Sequence, residues 1–217
     1  MEAVLDRSSI VEMGERAGAD VRDMDAQLMV RFKEGNTEAF DTLFRKHLFR
    51  VVNFAYRFVR NRAVAEELAQ DIFLKVYENA GNYAVQAKFT TWLYTIATNV
   101  CLNEVRRPHF KAKHQSLYRI DANGGAEEEI GIEAETTSSP DALLERQGIE
   151  DAIKSALEHV PEKQRIAFIL NKYQELSYAE VAEVLEVSEK AVKSLIHRAK
   201  EALALKLKPW MPELLSK

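Results

Sequence analysis

The chain has 217 residues, enough for one ordinary domain or two small ones, and 47% of them are apolar. Glycine (8) and proline (5) are scarce beside abundant Ala, Glu, Lys, Leu and Val, which favours an all-helical protein. A net charge of −4, a single cysteine and no apolar run near the ~20 residues of a membrane span argue against a DNA-coating protein, an intramolecular disulfide and a transmembrane helix.

The charge is unevenly spread. Residues 25–107 carry 12 basic and 9 acidic residues, and residues 146–217 carry 12 and 11. From Asp121 to Glu145 there are eight acidic residues and no basic one. Met1 to Met24 lacks the basic start and apolar core of a signal peptide, so a cytoplasmic protein is expected.

Residues 1–24 are weakly periodic and read as a loosely ordered extension. From Thr37, apolar residues recur at Phe40, Leu43, Phe44, Leu48, Val51, Val52, Ala55 and Phe58, the three-and-four spacing of one helix face. Asn61-Arg62 reads as a break. A second amphipathic run sets Leu68, Ile72 and Val76 in register and ends near Gly81. Its other face carries Glu66, Glu67, Gln70, Asp71 and Leu74, an acidic and apolar strip suited to docking a protein rather than DNA. A third helix from about Phe89 aligns Trp92, Leu93, Ile96, Ala97, Val100 and Cys101, and must stop at Arg107 because Pro108 disfavours a helical residue before it. Aromatic residues Tyr83, Phe89, Trp92 and Tyr94 stand near Lys88, Asn99, Arg106 and Arg107, the pairing of flat rings and cations that unstacked bases require, although Phe89 and Trp92 taken alone read more readily as core. The loop Asn82–Lys88 is where an extruded base would be held.

Residues 108–139 read as a flexible acidic linker, with Asn123-Gly124-Gly125, Glu127-Glu128-Glu129 and Thr136-Thr137-Ser138-Ser139 burying nothing. Helix resumes with Ser139 as cap and Pro140 as first helical residue, continuing through Leu143, Ile149, Ile153 and Leu157. Pro161 starts another helix, through Leu170. Residues 177–203 then spell a helix-turn-helix. Ser177 and Glu180 form a capping box. Ala179, Val181, Ala182 and Leu185 make the apolar face of a short helix, Val187 plugs the turn, and Ser188 caps a second helix with Val192, Ile196 and Ala199 inward. Lys190, Lys193, Ser194, His197, Arg198 and Lys200 remain outward. Cations that neutralise phosphates, beside groups that reach base edges, suit the DNA major groove.

Four segments together carry a family resemblance: AEELAQDIFLKVYEN, KFTTWLYTIATN ending at Arg106-Arg107, VPEKQRIAFIL and LSYAEVAEVLEVSEKAVKSLIHRAKE. In this order and spacing, from Asp25 to about Leu207, the chain resembles an extracytoplasmic-function (ECF, group IV) sigma factor of the sigma-70 superfamily. The resemblance implies an all-α architecture of two small helical domains joined by the linker. These are a sigma region 2 bundle over 25–107 and a sigma region 4 helix-turn-helix over 140–217. It implies that Glu66, Glu67, Gln70, Asp71 and Leu74 dock on the β′ clamp helices of core RNA polymerase. It implies that Asn82, Tyr83, Lys88, Trp92, Asn99, Arg106 and Arg107 melt and read the −10 element. The recognition helix would read the −35 element, with the β flap as its polymerase partner. The acidic linker would thread polymerase channels in place of nucleic acid, and an anti-sigma factor is a further implied partner. The chain departs from the family at Lys190-Ala191, where Gly-Thr is frequent, and at Leu195, where a basic residue is frequent. An apolar groove-side residue there would meet a thymine methyl rather than a phosphate.

A helix-turn-helix regulator that is not a polymerase subunit would fit the hairpin equally well. It leaves 25–107 unexplained, because that block lacks the alternating strand–helix pattern of a receiver domain. A purely structural helical adaptor leaves the basic recognition face unexplained. An enzyme is not expected: there is no Gly-rich phosphate loop, no G-x-S-x-G and no H-E-x-x-H. Neither a cofactor nor a metal is expected, since Cys101, His109 and His114 do not have the spacing or number of a closed site.

Overall fold

Polar caps and proline set most of the helix boundaries. A computed structural model describes residues 23–84, 88–108, 156–157 and 159–208, and every regular element among them is helical. The chain divides into two compact units, Met1–Ile130 and Gly131–Lys217. The linker beyond Pro108, the Ser139-Pro140 start, and Leu143, Ile149 and Ile153 lie outside the described residues.

In the first unit, α1 (Met24–Lys33) begins one residue earlier than the sequence pattern suggests. Asp23 caps it, its Oδ1 accepting from the N–H groups of Asp25 (3.0 Å) and Ala26 (3.3 Å). So Asp23 and Met24 belong to the helix rather than to a loose extension. It ends in a Schellman turn: Gly35 N–H donates to Phe32 O and Asn36 N–H to Arg31 O, with Gly35 at φ 99°. Asn36 then caps α2 (Thr37–Val59) through Ala39 N–H. Leu43, Val51, Val52, Ala55 and Phe58 are buried along its expected face, while Phe40, Phe44 and Leu48 are half-buried. Phe54, outside that expected series, is fully buried.

Arg60 turns left-handed (φ 53°) and Asn61 caps α3 (Arg62–Glu78), so the chain breaks where expected. Leu68, Ile72 and Val76 face the core with Ala65, Ala69 and Phe73. A 3-10 turn (Ala80–Asn82) leads toward α4 (Phe89–Arg106). On α4, Phe89, Trp92, Leu93, Ile96, Ala97 and Cys101 are buried and Val100 is half-buried. Each large apolar side chain so buried stabilises the unit by about 1.5–3 kcal/mol. The helix ends as Pro108 demands, with Arg107 extended at φ −61°, ψ 136°. Burial, with Glu104 nearby, pushes the Cys101 thiol well above its ordinary value, which leaves little nucleophilic thiolate.

A polar pair crosses this apolar interior. His47 Nε2 lies 2.9 Å from Asp25 Oδ2, and Lys46 Nζ 2.6 Å from Asp25 Oδ1. Burial works to raise the Asp25 pKa, but hydrogen bonds and charge from His47 and Lys46 outweigh it and hold the carboxyl below its ordinary value. A depressed carboxyl contributes stability above its unfolded pKa and loses it as pH falls through the folded one. The first unit is therefore expected to weaken below about pH 4. Asp25→Asn should be less stable at neutral pH yet flatter in an acid titration followed by circular dichroism.

In the second unit, α5 (Glu162–Lys172) follows Pro161 and buries Ile166, Ala167, Ile169 and Leu170. Two further helices follow, α6 (Tyr178–Leu185) and α7 (Glu189–Leu207). The C-terminal half of α7 packs Ala199 and Leu203 with Ala156, Leu157 and Val160, flanked by Phe168, Ala202 and Leu207. No described helix is long and apolar enough to cross a membrane.

Candidate nucleic-acid interface

The α6–α7 hairpin is built from local chemistry. Glu180 N–H donates to Ser177 Oγ (3.2 Å), and Ser177 N–H donates to Glu180 Oε2 (2.7 Å), completing the capping box. The turn is a second Schellman motif: Glu186 N–H donates to Glu183 O and Val187 N–H to Ala182 O. Val187 is partly buried there, as a turn plug should be. Ser188 Oγ accepts from Ala191 N–H and starts α7. One expectation needs correction: Ala179 is exposed, and Val184 is buried with Val181 and Ala182 while Leu185 is half-buried. Positions 181, 182, 184 and 185 share one arc of the helix and position 179 lies outside it, so Val184 rather than Ala179 completes the inward face.

Glu186 sits in the left-handed region at φ 52°, ψ 47°, where glycine is the usual occupant. Glu186→Gly removes a cost of about 1–2 kcal/mol, partly offset by the entropy glycine loses on folding. A net gain of about 0.5–1 kcal/mol is expected, read as a rise of a few degrees in the unfolding midpoint of this unit.

On α7 the alternation is clean. Val192, Ile196, Ala199 and Leu203 are buried, while Lys190, Lys193, Ser194, His197, Arg198 and Lys200 are all exposed. Four of these six are cations, and at positions 190, 193/194, 197/198 and 200 they form one continuous surface. His197 Nε2 lies 3.4 Å from Glu201 Oε1, both well exposed. Leu195, expected on the groove side, is half-buried at the edge of the inward face, so it does not interrupt the cations.

The expected −10 residues separate into two sets. Asn82 (on the 3-10 turn), Lys88, Arg106 and Arg107 are exposed, and Asn99 is half-exposed. Tyr83 and Trp92, expected to meet DNA, are instead core residues at 1% and 5% exposure. Their rings pack 5.2 Å apart, with Phe89 at 6.3 Å from each, so neither presents a free face to a base. Burial pushes the Tyr83 hydroxyl pKa up, with Asp23 and Asp25 adding to it. Tyr94 is also core, against Phe54. Residues 85–87 of the expected base-holding loop lie outside the described residues.

Along α3, Glu66, Glu67, Gln70, Asp71 and Leu74 are exposed together. Arg62 Nε holds Glu66 Oε1 at 2.9 Å, which trims the strip's negative charge. Tyr77, absent from the expected strip, extends it: it is 51% exposed, one turn beyond Leu74. Its ring is anchored by Phe32 (5.0 Å) and Phe40 (5.3 Å). The i+3 spacing from Leu74 was the available signal. Among the described residues no group of three or more His, Cys, Asp or Glu converges as a metal site, and His109 and His114 lie outside them.

A capped helix-turn-helix with a continuous cationic face, in a chain whose other unit exposes an acidic and apolar helix strip, defines a DNA-binding transcription protein. Two family models match, Sigma-70 region 2 over residues 43–109 and Sigma-70, region 4 over residues 150–203. The chain is 31% identical over 200 residues to the RNA polymerase sigma-H factor of Pseudomonas aeruginosa, covering 88% of this chain and 98% of that one. It is 28% identical to the ECF sigma factor SigW of Bacillus subtilis (81% and 92% covered) and 29% identical to the ECF sigma-E factor of Escherichia coli (85% and 95%). The fold is shared with CnrH, solved with the cytosolic domain of CnrY (TM-score 0.61, 22% identity, 85% and 97% covered). It is also shared with RpoE of Bartonella quintana, solved with the anti-sigma factor NepR (TM-score 0.53, 24% identity, 78% and 96% covered). The chain belongs to the sigma-70 family, as an ECF sigma factor of RNA polymerase.

Proposed function

We propose that this chain binds core RNA polymerase and directs it to promoters, reading the −35 element through α7 and melting the −10 element with its first unit. The division of labour follows the segments 25–107, 108–139 and 140–217, with no assigned role for 1–24. The observation that carries the reading is the cationic face of α7, set on a properly capped helix-turn-helix. Lys190, Lys193, Arg198 and Lys200 neutralise phosphates, while Ser194 and His197 have the reach and donors for base edges.

The exposed strip Glu66, Glu67, Gln70, Asp71 and Leu74, extended by Tyr77, has the mixed apolar and acidic character of a docking surface for the β′ clamp helices. The second unit meets the β flap. For the −10 element, Asn82, Lys88, Asn99, Arg106 and Arg107 supply the accessible polar groups. Flipping a base costs a few kcal/mol. Two weak DNA readers joined on one polymerase offset that cost, because the first contact raises the effective concentration of the second. The acidic run Asp121–Glu145 suits a polymerase channel that otherwise holds phosphates, and it disfavours DNA binding by the free chain. The chain performs no covalent chemistry and acts in the cytoplasm. An anti-sigma factor is a further partner; the Bartonella quintana relative was solved with one.

Reconstitution tests this. Mixed with purified core polymerase, the chain is expected to co-elute with it and to start transcription at discrete sites on genomic fragments. A free-standing regulator would bind such fragments alone and elute apart from core, and that result, or no promoter-dependent initiation on any fragment, would overturn the reading.

A further inference from the structure

The stretch from Tyr83 to Phe89 is tied at its two ends to one helix, α1. At its start, Lys33 at the C-terminus of α1 donates from Nζ to the carbonyl of Tyr83 at 2.8 Å. At its end, Asp23 at the N-terminus of α1 accepts the Phe89 N–H at 3.1 Å. These ties reach across 50 and 66 residues of sequence.

Asp23 divides its two oxygens between two helices. Oδ1 caps α1 through Asp25 and Ala26, and Oδ2 takes the first N–H of α4. The second job is open because Lys88, at the N-cap position of α4, makes no side-chain capping bond. One carboxylate therefore satisfies orphan donors at two helix N-termini, where negative charge is favoured at both. A third tie reinforces the second: Asp25 on α1 holds His47, whose ring packs 5.3 Å from Phe89.

We infer that Asp23 and Lys33 are positioning residues for promoter melting: α1 fixes Tyr83, next to Asn82, and Phe89, next to Lys88, and so sets where Asn82 and Lys88 meet the −10 strand. Neither residue needs to touch DNA. The inference rests on the proposed −10 role of this segment.

The two jobs of Asp23 can be separated. Asn caps helices as well as Asp does. Its amide keeps one acceptor oxygen for α1, but the other atom is an NH2 donor and cannot accept the Phe89 N–H. Lys33→Met keeps an unbranched apolar stem and removes the ammonium, both its donor and its charge.

The test uses the full chain with core polymerase on a duplex promoter carrying 2-aminopurine in the −10 element. Asp23→Asn and Lys33→Met are each expected to lower the melted fraction about tenfold, the loss of one charge-assisted hydrogen bond. Core affinity should stay at the wild-type value, and the thermal midpoint should fall by only several degrees, leaving the first unit folded at the assay temperature. Asn82→Ala with Lys88→Ala provides the comparison. If that double variant loses melting while Asp23→Asn and Lys33→Met do not, the positioning inference is wrong and the −10 reading stands. If the double variant also melts normally, the −10 reading itself fails. A melting loss matched by an equal loss of core affinity, or accompanied by unfolding of the first unit at the assay temperature, would make the ties merely structural and would equally overturn the inference.

Discussion

Reversing Lys193 and Arg198 together to glutamate should reduce promoter affinity of the holoenzyme by about 100-fold or more, with no loss of folding. Both side chains are exposed on α7 and neither belongs to the core seam of Val192, Ile196, Ala199 and Leu203. The double reversal removes two cations and adds two anions beside phosphates, so attraction becomes repulsion at two positions. The size of the effect should itself depend on salt. Replacing both residues by alanine removes about two phosphate contacts, which should flatten the slope of log affinity against log salt by about 2. If one of the two reads a base edge instead, its alanine variant will lose discrimination at one −35 position while the slope changes by only about 1. Fluorescence anisotropy on promoter fragments with single −35 substitutions, repeated across a salt series, distinguishes these cases. Wild-type affinity in the double reversal would remove α7 from the DNA interface.

The second large effect is on the fold. Phe54→Ala should cost about 3–5 kcal/mol, the usual cost of emptying an aromatic-sized core site. Phe54 is completely buried, with Phe58 at 5.0 Å and Tyr94 at 5.2 Å. Against a total stability of about 5–15 kcal/mol for a domain, this leaves the first unit marginal or unfolded at growth temperature. In a unit of this size the thermal midpoint should drop by more than about 10 °C. Phe54→Leu keeps most of the volume and should cost under about 1.5 kcal/mol, so the pair of variants separates cavity formation from loss of the ring. Phe54 is not among the residues assigned to DNA or polymerase, so transcription by Phe54→Leu should stay near wild type below its midpoint.

Helices and their caps were largely legible in the sequence because both are local. The Leu68, Ile72, Val76 register, the Ser177–Glu180 box, the Ser188 cap and the stop before Pro108 depend on neighbours within one or two turns. The outward cations of α7 were legible for the same reason. What sequence could not weigh was burial decided by distant chain. Tyr83 and Trp92 combine flat rings with basic neighbours, which is equally the signature of a base-stacking site and of a core edge. Their packing depends on contacts between separate elements, such as the Tyr83 ring against Trp92 of α4 at 5.2 Å. Asp25 and His47 escaped notice likewise: each is an ordinary polar residue within its own helix, and their pairing is visible only when α1 and α2 meet. Phe54 stands three residues after Val51 and four before Phe58, so the same three-and-four spacing admits it to the buried face of α2. Ala179 and Val184 are sorted by helical angle: Val184 shares the arc of Val181 and Ala182, and Ala179 does not.

The seclusion of Cys101 has a practical side. The chain has one thiol, fully buried within α4, with its pKa pushed up by desolvation. Maleimide reagents attack thiolate, so this position should stay silent while the protein is native. A cysteine introduced at an exposed site such as Lys193 or Gln70 can therefore carry a fluorophore or spin label as the sole reporter, with the native sequence otherwise intact. The wild-type chain thus serves as its own blank for watching α7 approach a promoter or α3 approach polymerase, and sudden labelling of Cys101 would announce that the first unit has opened.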